Sequence, residues 1–149
     1  MKCSKALLPT VTLVLLAASP PAQAGFDAKA ILVVARALGF TKPPAPAGAK
    51  IAVVGAAAAL ADVQSILSDF SVSAGDGNDA YAALVSNAAE AKAAGRKVLT
   101  IGPLACVEAG ACVMGIETTP RVTITLSAAA AAAAGIDFDP NFKLMVTIK

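Results

Sequence analysis

The chain has 149 residues, with 12 lysines and arginines against 10 aspartates and glutamates and no histidine. Without an imidazole there is no Ser-His-Asp or Cys-His arrangement, and both the commonest metal ligand and the best-placed acid–base group at neutral pH are missing. With no tryptophan, one tyrosine and nearly balanced charge, neither an aromatic stacking platform nor a basic patch for nucleic acid is expected.

Lys2 and Lys5 precede an apolar run from Ala6 to Ala18, Pro20-Pro21 breaks it, and Ala22-Gln23-Ala24 has the small-x-small form of a signal peptidase site. Residues 1–24 are therefore expected to be a signal peptide cleaved after Ala24, leaving residues 25–149 as the mature domain. The run is shorter than the roughly 20 residues a spanning helix needs. No later segment exceeds the strands of an ordinary domain, so release into the periplasm without direct membrane insertion is expected. Cys3 lies among the charged residues of the leader, where it is no lipid-attachment site. Loss of Lys2 and Lys5 leaves 10 basic and 10 acidic residues, a neutral chain of a length that holds one core.

Asp27 can cap a helix over Ala28 to Leu38, in which Ile31, Val34, Ala35 and Leu38 share a face and Gly39 is the stop. Lys42 to Gly48 holds three prolines, which fix φ and lack an amide donor, so it reads as an internal connection. Lys50 to Val54 reads as a buried strand ending at Gly55. Leu60 to Phe70 has Leu60, Val63, Ile66, Leu67 and Phe70 at helical spacing, and a short strand to Ser73 leads into the turn residues Gly75 to Asp79. From Ala80 to Ala94 propensity alone favours one long alanine-rich helix capped by Asn78 or Asp79. Lys97 to Ile101 is a second buried strand, closed by Gly102-Pro103. Val113 to Glu117 and Arg121 to Leu126 are strands joined by the Thr118-Thr119-Pro120 turn. Ser127 stands as an N-cap, Ala128 to Ala134 as a helix, Gly135 as its left-handed stop, and Phe142 to Ile148 as a last alternating strand. Strands alternating with helices predict an α/β fold, a compact single-domain sandwich whose mixed, mostly parallel sheet has helices on both faces and an antiparallel edge after Cys112.

Little in this chain carries chemistry. Asp62, Asp69 and Glu90 read as solvated helix positions, Glu108 as part of the segment between two cysteines, and Asp137 and Asp139 as a polar edge turn. Asp76, Asn78 and Asp79 lack the ligand spacing and closing glutamate of a calcium loop. Val54-Gly55-Ala56 has one of the glycines of a dinucleotide-binding turn and no acidic partner. No catalytic, metal or cofactor residue is assigned, and no enzymatic activity is expected. Cys106 and Cys112, the pair that outlasts cleavage, favour a disulfide in an exported chain, the alternative being two buried free thiols.

The wording Cys112-Val113-Met114-Gly115-Ile116, Arg121-Val122-Thr123-Ile124-Thr125-Leu126 and Ala134-Gly135-Ile136, with Val98-Leu99-Thr100-Ile101 before it, resembles the YfiR-like family of bacterial periplasmic regulatory proteins. The resemblance implies a strand over Tyr81 to Val85, with Ser86-Asn87 leading into a helix from Ala88 to Ala94, and a structural Cys106–Cys112 bridge. It implies a protein that binds the sensory region of an inner-membrane diguanylate cyclase and restrains cyclic di-GMP production. It also allows for an outer-membrane lipoprotein as a further partner and for a homodimer. It carries over no partner-contact residue. The competing reading is a periplasmic binding protein for a small ligand or envelope component, with its cleft at the strand ends.

Overall fold

A computed structural model describes residues 25–149; the leader expected over residues 1–24 lies outside the described residues. The elements, in chain order, are α1 (Ala28–Leu38), β1 (Thr41–Lys42), β2 (Lys50–Val53), α2 (Leu60–Ile66), β3 (Ser71–Ala74), β4 (Ala82–Leu84), α3 (Ala88–Ala94) and β5 (Leu99–Gly102), followed by α4 (Leu104–Glu108), β6 (Met114–Glu117), β7 (Thr123–Leu126), α5 (Ala128–Ala134), β8 (Asp137–Phe138), α6 (Pro140–Lys143) and β9 (Thr147–Ile148). A seven-stranded sheet has the order β3-β2-β4-β5-β6-β7-β9, and β1 and β8 form a separate two-stranded ribbon. Strands β3, β2, β4, β5 and β6 run parallel, β7 is antiparallel to β6, and β9 is parallel to β7. This is the mixed, mostly parallel sheet expected from the alternation of strands and helices.

The four central strands β2, β4, β5 and β6 are buried nearly throughout, with a layer on each face, which explains why they read as short apolar runs, whereas β3 and β7 toward the edges alternate. On one face Ile51, Val53, Leu84, Ile101 and Met114 pack under Ile31, Val34 and Leu38 of α1 and Val63 of α2. On the other, Ala52, Ala83 and Val85 pack with Ala91 and Ala94 of α3 and Cys106 and Val107 of α4. The chain passes from β3 to β4 across β2 without a helix. An ideal Cβ on Gly77 would lie 2.9 Å from Ala83 Cβ and 3.3 Å from Ala94 Cβ, and its φ is +84°. Alanines on the sheet and a glycine in the crossing segment let that segment lie directly on the strands.

Several boundaries differ from the expectations. The segment Ala80 to Ala94 is not the single helix that propensity alone favours but the strand and the Ala88–Ala94 helix that the resemblance implies. Tyr81 immediately precedes β4, and Asn87 caps α3 by accepting the Glu90 N–H at 2.9 Å, so tertiary pairing of β4 between β2 and β5 overrides alanine propensity. The helix expected over Leu60 to Phe70 stops at Ile66, because the chain must reverse before the Ser71 N–H donates to the Ala49 carbonyl at 3.0 Å. The strand expected over Phe142 to Ile148 is confined to Thr147–Ile148. Asp139 Oδ1 accepts the Asn141 N–H at 2.8 Å and Pro140 takes the first helical position, so a short helix forms and turns Phe142 inward onto Phe40, ring centroids 4.9 Å apart.

Candidate partner-binding surface

Cys106 and Cys112 are bonded to each other, with Cα atoms 5.2 Å apart and both side chains buried. Cys106 sits in α4, a helix that sequence reading missed. The chain returns at Gly110, φ +72°, where the N–H groups of Ala111 and Cys112 both donate to the Cys106 carbonyl, at 3.0 and 3.2 Å. Room for this unit comes from two glycines. Gly102 of β5 and Gly115 of β6 are register partners, and the missing side chains leave a flat floor for α4. An ideal Cβ on Gly102 would stand 2.8 Å from Cys112 Sγ, and one on Gly115 would stand 2.9 Å from Val107 Cγ2 and 3.1 Å from Leu104 Cα. The bridge is of the kind kept in oxidising compartments.

In an open parallel sheet, ligands usually enter where the strand order reverses, beyond the carboxyl ends of the strands. Here that point lies between β2, which continues to β3, and β4, which continues to β5. It is occupied by the protein's own carboxylate. Glu90 Oε2 accepts from the Ser86 N–H at 2.8 Å and from the Ser86 hydroxyl at 2.9 Å, and Glu90 Oε1 lies 2.8 Å from where a Cβ of Gly55 would be. Glu90 is thus a half-buried capping group, not the solvated residue expected.

The remaining carboxylates have structural partners or lie in water. Asp76 accepts from the Asn78 N–H at 3.1 Å and from Asn78 Nδ2 at 2.9 Å, which makes the turn expected there. Glu108 is in α4 and reaches Lys149 Nζ at 3.2 Å. Asp139 pairs with Lys42 at 3.5 Å, and Asp137 pairs with Lys143. The hydrogen bond from Lys143, and then the Phe138 N–H, hold the exposed Asp137 carboxyl below its ordinary value of 3.8. Among the described residues no group of three or more His, Cys, Asp or Glu is placed to hold a metal ion.

The surface that stands out is apolar and lies around α5, α6 and β9. Ser127 Oγ accepts the Ala130 N–H at 3.2 Å and Gly135, φ 70°, ends α5 as expected, so the all-alanine helix has firm limits. Beside it opens a cleft of about 280 Å³ lined by Leu126, Ala131, Ile136, Phe138 and Ile148, with Lys143 and Asp137 at its mouth. Next to this cleft the chain exposes Leu144 by 85%, Met145 by 69% and Ile148 by 48%. Single exposed apolar residues are ordinary, whereas three within five positions beside an apolar cleft make this the candidate contact surface of the domain. The expected strand concealed it: alternation over Phe142 to Ile148 assigns half of these side chains to a core, and the Asp139-Pro140 helix start was the signal that the pattern breaks. Among the described residues no helix is long and apolar enough to cross a membrane. No protein-family model matches the chain, and no curated protein matches it by sequence.

Proposed function

We propose that the mature domain is a periplasmic regulator that binds the sensory region of an inner-membrane diguanylate cyclase and restrains cyclic di-GMP synthesis. The observation that carries this reading is the exposed apolar surface of Leu144, Met145 and Ile148 beside the α5 cleft. Such a protein needs no catalytic group: a higher affinity for the inactive than for the active state of its partner is a sufficient mechanism. The resemblance of the segment from Cys112 to Ile136 supports the choice of partner, and the disulfide supports an oxidising compartment.

Deletion of the gene should raise cellular cyclic di-GMP, and restoration should lower it. Restoration with Leu144→Asp and Met145→Asp together should leave the level high. Stability should change by less than about 0.5 kcal/mol for each substitution, because both side chains stand in water. An unchanged level on deletion, in cells that express the cyclase, would reject this reading and favour a small ligand held in the cleft of about 280 Å³.

A further inference from the structure

We propose that the outer edge of β3, at the opposite end of the sheet, is a docking edge for an extended, basic segment of a partner protein, which would add to the sheet as a further strand. Among the described residues strand β3 is the terminal strand of the sheet and pairs with β2 alone. The Ser71 N–H donates to Ala49 O at 3.0 Å and the Gly75 N–H donates to Val53 O at 3.2 Å. Backbone groups alternate along a strand, so Ser71, Ser73 and Gly75 turn toward β2 while Val72 and Ala74 turn outward. One outward group is held: the Val72 carbonyl accepts from Gln64 Nε2 at 3.3 Å, an exposed and long bond that an incoming N–H can replace. Sheet edges are commonly protected by a proline, a charge or a bulge, and Ser71-Val72-Ser73-Ala74 has neither charge nor proline.

The charges around this edge choose the occupant. Asp69 precedes the strand, Asp76 follows it, Asp62 lies on the adjoining α2 and Asp79 in the crossing segment; all four are exposed, and none of them forms a salt bridge among the described residues. Lys50, opposite Ser71, is the basic residue of the neighbouring β2. A second copy of this chain paired antiparallel across a two-fold axis would bring Asp69 against the copy's Asp76 at both ends, which is repulsive. An extended segment with basic residues roughly six to eight positions apart would meet both carboxylates, taking affinity from main-chain bonds and register from charge.

The test uses ¹⁵N-labelled protein and an eight-residue peptide of alternating threonine and valine with lysine at both ends. The amide signals of Val72 and Ala74 should shift, and their exchange with solvent should slow. A peptide with glutamate at both ends should bind at least roughly tenfold more weakly. Ala74→Pro removes an outward N–H and no bond to β2, and should abolish binding. Should Ala74→Pro unfold the protein, the surface pair Asp69→Lys with Asp76→Lys decides, since it should reverse the preference between the peptides. Equal binding of the two peptides, shifts that map elsewhere, or shifts at Val72 and Ala74 that appear on concentrating the protein alone would overturn the proposal.

Discussion

Gly115→Ala should destabilise the domain by about 2 kcal/mol and lower its melting temperature by something on the order of 10 °C, an effect far larger than one added methyl group normally has on a surface. The new Cβ would stand 3.1 Å from Leu104 Cα and 2.9 Å from Val107 Cγ2, and backbone of a packed helix cannot step aside as a side-chain tip can. Either α4 lifts from β6 or the strand bends. Alanine also restricts the unfolded chain, which returns about 0.4–1 kcal/mol and keeps the net cost moderate. Gly75→Ala is the matched control, because its Cβ would meet nothing within 4 Å and its φ is not in the left-handed range. Thermal unfolding followed by far-ultraviolet dichroism measures both. If Gly115→Ala melts with Gly75→Ala, the flat glycine floor under α4 is not what positions that helix.

The order of strands and helices was legible because long-range pairing and local pattern agree along most of the chain. Asp27, Ser127 and Gly135 sit where caps are needed, and each makes the backbone bond its position predicts. The pattern misled where a short element has too few residues to show a period. Helix α4 has five residues, and its signal lay in Gly102-Pro103 read as an end without being read as a beginning. The Asp139-Pro140 start was hidden in the same way by the alternation that follows it. Tyr81 to Val85 shows the opposite case. Its alanines favour a helix, yet pairing between β2 and β5 makes the central Ala82–Leu84 a strand, and only the resemblance to a known family pointed that way. The candidate surface was least legible of all, since a sequence does not say which residues of an alternating run will find a second layer to cover them.

Replacing both cysteines, Cys106→Ala with Cys112→Ala, should cost about 2 kcal/mol, the lower end of the range for native bridges, because the closed loop is short, with the cysteines 6 positions apart. Alanine is the replacement of choice, since a serine hydroxyl would be buried without a sure partner in this apolar cluster. The loss should be local first. Amide exchange from Ala109 to Val113 should quicken before global unfolding, as the bonds to the Cys106 carbonyl loosen, and the half-exposed Lys149–Glu108 pair is too weak to hold α4 by itself. The same pair of substitutions should also relieve Gly102→Ala, whose new Cβ would otherwise stand 2.8 Å from Cys112 Sγ. Gly102→Ala should therefore be less costly without the bridge than with it, by on the order of 1 kcal/mol in a double-mutant cycle read from denaturant unfolding. Strictly additive costs would mean that α4 and its bridge already sit clear of the β5 strand, and the close packing of Gly102 against the disulfide would have to be abandoned as the reason for glycine at that position.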